Sequence, residues 1–378
     1  MIYFYTFFLL IFLCYNFDFS NKSGKDSAYW TVCLILILLA GFRYRVGGDT
    51  LNYMYTHELI PQFDISNIFP RINGVRAEQG WIMLTSLAKL IGPDFYWVQL
   101  IQAAIVNIAF FTFFKRYTKY YFSCVLFYYI CAYFYFNFEI LRESLAVSIF
   151  LLFSIKYLAE KKYLKYYLSI IVTMAFHSSA ILLVIIPTLY NFVNKKNANF
   201  LVICTIIYVC GLFLNPLFNQ LIIGLGLFSD KFGTYLDYNF TIFGKIMGYV
   251  LYVLLPLTVY HYAKKYESPS RYFLVIYALI GASTSLFSIF FRFINYFTPF
   301  LILNMALIFV ELLLNSKSRT RIENSIIYVL FIVVFFNQRI FVTVDKNNNY
   351  KWYSYWFPYH SIFDPQIDPT REYIWRNN

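Results

Sequence analysis

The chain has 378 residues, of which 60% are hydrophobic, 23% aromatic and only 13% charged. A soluble domain is nearer half apolar and a quarter charged, so soluble, disordered, collagen-like and disulfide-stapled classes are excluded and an all-α, polytopic membrane helix bundle is expected. The formal charge of +12, from 31 Lys and Arg against 19 Asp and Glu, does not point to nucleic acid, because much of the excess sits in short loops between apolar runs, where it reports orientation in a bilayer.

Apolar stretches fall at 2–19, 28–42, 95–114, 120–138, 140–158, 162–176, 178–194, 199–218, 246–263, 271–291, 293–314 and 325–343. They run for roughly fifteen to twenty residues without period-two alternation, which predicts about twelve transmembrane helices and not barrel strands. The first is read as a retained helix and not a cleavable signal: no basic residue precedes it, and Asn16, Asp18, Lys22 and Lys25 follow it where a small-residue cleavage site would stand. The six cysteines, Cys14, Cys33, Cys124, Cys131, Cys204 and Cys210, lie inside apolar runs without Cys-x-x-Cys or His spacing, so they read as core filler and no metal site is expected.

The basic clusters Lys22/Lys25, Lys115/Arg116/Lys119, Lys156/Lys161/Lys162/Lys165, Lys195/Lys196, Lys264/Lys265/Arg271 and Lys317/Arg319/Arg321 can all be cytoplasmic together, which puts both termini outside. That assignment requires 80–92 to be an amphipathic or re-entrant helix, since about twelve residues reach only ~18 Å. It also requires 162–194 to be two short spans turning at His177, Ser178 and Ser179. The outer face then carries a loop at 43–79, a second near 220–244, a turn at Arg292 and an aromatic tail at 344–378. With no internal repeat and no linker, 1–378 reads as a single integral membrane domain with its chemistry on the longer outer loops.

Several outer-face residues oppose this charge pattern. Arg43-Tyr-Arg45-Val-Gly47-Gly48-Asp49 sets two arginines at an external helix end, beside a bend whose glycines can turn N–H groups toward an anion. Asp49 or Thr50 suits the N-cap of an amphipathic helix bearing Tyr53 and His57. The plainer alternative is that Arg43 and Arg45 snorkel to headgroups. Next, Arg76, Glu78, Gln79, Gly80 and Trp81 lead into the short helix, and Glu78 is either a base or an ion-pair partner.

Asn137-Phe-Glu139-Ile-Leu-Arg142-Glu143 puts three charges at the start of a span. Each would cost ~2.5–3.5 kcal/mol at the hydrocarbon centre, so they must face protein or water near the outer surface, unless they neutralise one another. His177, in Ala-Phe-His-Ser-Ser-Ala, marks a hairpin tip, where a lone His serves packing or proton transfer. Arg292, between two long apolar runs, suits a bidentate phosphate or carboxylate partner. The tail Tyr350-Lys-Trp-Tyr-Ser-Tyr-Trp-Phe-Pro-Tyr359-His360 reads as an interfacial aromatic belt in preference to a carbohydrate platform. Together, Arg43, Arg45, Arg142 and Arg292, with Asp49, Glu78 and His177, suit a lipid-linked diphosphate held at headgroup depth.

The ordered set Arg43-Tyr-Arg45-Val-Gly47-Gly-Asp49 with Tyr53, Glu78-Gln-Gly80-Trp81, Leu141-Arg142-Glu143-Ser-Leu-Ala146, Ala175-Phe-His177-Ser-Ser-Ala180 and Phe291-Arg292-Phe-Ile-Asn-Tyr296 resembles the EpsG-type branch of the bacterial Wzy O-antigen and exopolysaccharide polymerases over residues 40–300. The chain carries Glu143 where that pattern has Gln, and Gly-Gly-Asp where it has Gly-Thr-Asp. The resemblance implies a GT-C-like glycosyltransferase in the bacterial inner membrane. Such an enzyme joins undecaprenyl-diphosphate-linked oligosaccharide units on the outer face, with membrane lipid around it, no nucleotide sugar or other cofactor, and a chain-length regulator as an admissible partner. It implies Arg142 and Arg292, then Arg43 and Arg45, as diphosphate ligands, and Tyr53, Tyr296, Glu139 and Glu143 as substrate contacts. Glu78, His177 and Asp49 are the candidate bases, with Glu78 ranked first for reach. No Asp-x-Asp cluster is present, so arginines can stand in for a divalent cation, although phosphate can still recruit Mg²⁺. An O-antigen ligase, a flippase or transporter and a membrane acyltransferase are the competing classes. A ligase calls for a larger late outer loop, a transporter for inverted repeats, and an acyltransferase for a second catalytic signature beside His177.

Overall fold

The computed structural model describes the chain apart from residues 21, 68–71, 73–74, 76, 196–197, 225–240, 265–268, 316–317, 346–347 and 378. Arg76 and most of the loop at 220–244 therefore lie outside the described residues. The chain is an all-α, polytopic helical membrane protein whose helices fall in two compact units, Met1–Ile181 with Glu323–Asn378, and Leu182–Ile322. Among the described residues, four helices have the length and apolarity to cross a membrane: Ile2–Phe19, Phe95–Tyr117, Phe200–Leu221 and Ile242–Ala263. A bent pair, Ser288–Ile294 with Thr298–Leu314, makes a fifth. Helices occupy the other apolar stretches too, but they are shorter or carry more charge.

In the first unit, α1 (Ile2–Phe19) and α2 (Lys25–Gly41) are followed by two short helices, α3 (Thr50–Leu59) and α4 (Gln79–Ala88), and then by α5 (Phe95–Tyr117). α6 begins as Tyr121–Tyr128 and continues through π-helical turns at Tyr129–Tyr133 and Tyr135–Glu139. α7 begins as Leu141–Ile149 and continues through a π-helical turn at Phe150–Ser154 into Ile155–Ala159, and α8 is Tyr163–Met174. α4 has the ten residues of a helix too short to cross.

Polar pins fix α2 and α5 at both ends. Gln99 donates to the carbonyls of Gly41 (2.8 Å) and Arg43 (2.9 Å), and Lys115 pairs with Asp26 (2.8 Å). Lys25 reaches Asp18 (2.8 Å) and the Lys119 carbonyl (2.6 Å). Lys25, Lys115 and Lys119 thus gather at one end of the unit, the grouping that the charge pattern expects. The starts of α4 and α7 lie at the other.

π-Helical turns shift the backbone register and release carbonyls from their usual donors, which is costly away from water. Buried side chains supply the missing donors. Gln102 donates to the Phe136 carbonyl (3.2 Å), Asn137 to Tyr133 (2.8 Å) and Thr50 to Phe138 (3.4 Å), while Asn107 holds Asn137 in place (2.9 Å). α6 consequently ends firmly at Glu139, the chain breaks at Ile140, and α7 starts by presenting Arg142 and Glu143.

The tail at 344–378, expected as an interfacial belt, is fastened to the protein. A two-stranded antiparallel ladder, β1 (Thr343–Asp345) with β2 (Tyr350–Lys351), leads to a segment hydrogen-bonded to the outer loop, and a C-terminal helix follows, Pro369–Asn377. Tyr44 N–H donates to the His360 carbonyl (2.8 Å), Gly47 N–H to Tyr355 (2.9 Å) and Ile362 N–H to Phe42 (2.9 Å). Tyr3 of α1 packs edge-on against Phe357 (5.0 Å) and Tyr359 (5.7 Å). Main-chain hydrogen bonds fasten the segment to the protein, and Tyr3 packs on two of its rings.

The second unit contains α9 (Ile186–Lys195), α10 (Phe200–Gly224), α11 (Ile242–Ala263), α12 (Tyr272–Ser283), α13 (Phe291–Ile294) and α14 (Thr298–Asn315). α12 packs against α9, α10, α11 and α14. The continuous span expected at 271–291 is broken after Ser283. There the hydroxyls of Ser283, Thr284 and Ser285 bond back to the carbonyls of Leu279, Gly281 and Ala282, competing with the helical ladder. Arg292 accordingly lies in α13, within the pair bent by 59°.

Candidate functional site

Motifs distant in sequence meet at the end of the first unit opposite Lys25, Lys115 and Lys119. Glu78 occupies the N-cap position of α4 and accepts a hydrogen bond from Arg142 Nη1 at 2.7 Å. Its other oxygen accepts from the N–H and hydroxyl of Ser178, both at 3.2 Å, and lies 3.7 Å from His177 Nδ1. The opposite ring nitrogen, Nε2, is 3.6 Å from Glu143. The Arg142 guanidinium stands 6.0 Å from the centre of the Tyr53 ring, which in turn packs against Trp81 at 5.2 Å.

Two features hold this geometry. Gly80 N–H donates to the Ala175 carbonyl at 2.7 Å, and a Cβ on Gly80 would stand 2.6 Å from that oxygen. Only glycine lets the Glu78 turn sit so close to the backbone before His177. Beneath it, Trp81, Ala88, Phe95, Val98, Leu141 and Leu145 form one buried apolar cluster, so the starts of α4 and α7 share a core. Arg142 is 26% exposed and Glu143 only 1%. A ligand from outside therefore meets the guanidinium first.

Burial pushes the Glu78 carboxyl up, but Arg142, His177 and the Ser178 N–H outweigh it and hold the group below its ordinary value. Glu78 is thus ionised near neutrality and already engaged, which makes it a weak base and a strong orienter. Burial raises the Tyr53 hydroxyl, against the pull of Arg142.

The outer loop behaves differently from its expectation. Arg43, expected to meet a diphosphate, is fully buried, donates to the carbonyls of Ala40 (2.5 Å) and Val46 (2.9 Å), and lies 4.6 Å from the Phe138 ring. Arg45 turns the other way and grips Glu372 of the C-terminal helix through Nε (2.7 Å) and Nη2 (2.5 Å). Gly47, with φ +127°, spends its N–H on the Tyr355 carbonyl, and a Cβ on Gly48 would stand 2.8 Å from the Glu139 carboxylate. Glu139 itself accepts from the Trp356 indole at 2.8 Å. The bend expected to cradle an external anion holds the protein's own carboxylate and tail instead.

Asp49 takes the N-cap position of α3 without a side-chain capping bond, one turn before Tyr53. Arg292 and Tyr296 lie in the second unit, Arg292 half-buried in α13 and Tyr296 buried just after it. Among the described residues, no group of three or more His, Cys, Asp or Glu is placed to hold a metal ion. Trp356 was in view only within the aromatic tail, and Ser178, Glu372 and Arg371 carried no role in the sequence reading. Ser178 was in view as the neighbour of His177, whereas Glu372 and Arg371 have no local signal.

A protein-family model described as the EpsG family matches residues 26–361. The chain belongs to the EpsG family. The EpsG match takes in every motif from Arg43 to Tyr296 and stops short of the C-terminal helix that carries Arg371 and Glu372. No curated protein and no solved structure matches the chain. EpsG membership suggests a membrane protein of polysaccharide biosynthesis.

Proposed function

We propose that this EpsG-family protein is a polysaccharide polymerase: a GT-C-like membrane glycosyltransferase of about twelve spans that joins undecaprenyl-diphosphate-linked oligosaccharide units at the outer face of the bacterial inner membrane. The observation that carries the reading is the meeting of Arg142, Glu78, His177 and Glu143 at the end of the first unit remote from its lysine cluster. Lysine-rich ends face the cytoplasm, which orients this cluster outward, toward lipid-linked glycan.

The reaction transfers the growing chain from its lipid diphosphate to a hydroxyl of the next unit. The hydroxyl oxygen attacks the anomeric carbon, the bond from that carbon to the diphosphate oxygen breaks, and its electron pair leaves with the diphosphate. Arg142, held by Glu78 and partly exposed, meets the charge that develops there; a preorganised cation of this kind contributes ~10²–10³ in rate. The hydroxyl proton passes to His177, whose two flanking carboxylates stabilise the resulting imidazolium, while Glu78 orients both Arg142 and His177. Arg43 and Arg45 serve the fold.

The test is glycan analysis of a deletion strain complemented with wild type, Arg142→Ala or His177→Gln. Loss of polymerase leaves single repeat units on lipid or on the surface acceptor. A flippase defect leaves none displayed outside, and a ligase defect leaves polymer on lipid without transfer to its acceptor. Full-length polymer from both variants would reject their proposed roles.

A further inference from the structure

His177 lies between two carboxylates that arrive from different helices and differ in what they can meet. Glu78, 16% exposed, is shared among Arg142, Ser178 and the Nδ1 side of the ring. Glu143, in the first turn of α7, stands 3.6 Å from Nε2 with its side chain only 1% exposed. A carboxylate so covered is poorly placed for the substrate contact that the sequence resemblance implies for it. Its position beside a ring nitrogen suits a different task.

We infer that Glu143 is a positioning residue for His177: from beside Nε2 it fixes the orientation of the ring and stabilises the imidazolium formed when the ring takes up a proton. The inference deepens the polymerase reading, on which its catalytic consequence rests. The geometry follows from the fold. α7 starts where the π-helical end of α6 releases the chain, and the core of Trp81, Leu141 and Leu145 fixes its first turn against α4. The 3.6 and 3.7 Å separations are those of ion partners, and catalytic hydrogen bonds of this type shorten when substrate closes the site.

Among the described residues of this unit, the charged and titratable groups around the ring include Glu78 from the start of α4, Arg142 and Glu143 from α7, and Tyr53 from α3 through its contact with Arg142. Arg142 offsets Glu78. Neutralising Glu143 therefore changes the field at the imidazole while leaving the Arg142–Glu78 pair in place. In hydrolases a buried carboxylate orients a catalytic histidine and stabilises its charged form in the same way.

The experiment is nitrogen NMR of the full-length protein in lipid nanodiscs with labelled histidine, the His177 signals being identified by their loss in His177→Gln. Glu143→Gln lowers the midpoint of His177 titration by about one pH unit, and Glu143→Asp, which keeps the charge, leaves the midpoint near wild type. A midpoint unmoved by Glu143→Gln, or moved equally by Glu143→Asp, overturns the inference. In polymerisation assays Glu143→Gln moves the rise of kcat/KM with pH to lower pH, and it lowers kcat on the order of tenfold or more with little change in KM. A KM effect alone would mark Glu143 as a substrate contact. Full polymerisation by His177→Gln would reject the catalytic reading of His177, while the NMR midpoints still decide the placement of Glu143.

Discussion

Arginine side chains that look equivalent in sequence are put to different uses here. Arg43 is consumed by backbone carbonyls and Arg45 by Glu372, whereas Arg142 shares one carboxylate and keeps part of its surface open. Substitution separates these roles. Arg43→Ala should fail chiefly in folding, read as lost thermal stability and low membrane yield, because it leaves the Ala40 and Val46 carbonyls without donors. Glu78 adds a pH signature. Its carboxyl is held below the ordinary 4.5, so its stabilising contribution is complete above that value and is lost only as pH falls below it. The Tm difference between wild type and Glu78→Gln should therefore stay constant down to about pH 4.5 and close below it. A second signature comes from His57, whose buried ring packs on Phe95, whose Nε2 has no hydrogen-bond partner among the described residues, and whose pKa is pushed by burial and by Lys89 from 6.5 to about 4. A depressed histidine favours the fold fully above 6.5 and progressively less as pH falls toward 4. Wild-type Tm should decline across that window and His57→Phe should decline less; parallel curves would mean that His57 is not the titrating group.

Elements were the most legible level of the sequence. Uninterrupted apolar length located helices along the whole chain, and the ordered motifs brought Glu78, Arg142 and His177 forward before any coordinates. The breaks were harder to see. The span at 271–291 divides because consecutive hydroxyls at Ser283, Thr284 and Ser285 fold back onto their own helix, a choice that hydropathy does not record. The tail's attachment was hidden for a related reason: an aromatic run looks the same whether its rings face lipid or pack on Tyr3, and the bonds that fasten it join main-chain groups some 300 residues apart, such as Gly47 and Tyr355. Arg371 fastens this segment. It is almost fully buried and donates to the carbonyls of Ser354 (3.2 Å), Arg45 (3.1 Å) and Pro358. Arg371→Ala should destabilise by roughly 2–3 kcal/mol, against about 1 kcal/mol or less for Glu372→Ala. Limited proteolysis should release the C-terminal segment from the first variant well before the second.

At the scale of the whole molecule, two observations agree. The first unit gathers Lys25, Lys115 and Lys119 at one end and a carboxylate, imidazole and guanidinium cluster at the other, and the EpsG match spans residues 26–361 and so includes that cluster. In the proposed reaction the cation that meets the leaving diphosphate is the Arg142 guanidinium, so polymerisation by purified protein should persist when chelator removes divalent ions. An absolute Mg²⁺ requirement would mean that a metal shares the work assigned to arginine. The most direct measurement gives purified, reconstituted protein lipid-diphosphate-linked repeat units and separates the products by length. Wild type should build a ladder, Arg142→Ala should lower its rate ~10²–10³-fold at unchanged thermal stability, and Arg142→Lys should recover only part of it. A ladder of wild-type rate and length from Arg142→Ala would contradict the assignment of this cluster to glycosyl transfer.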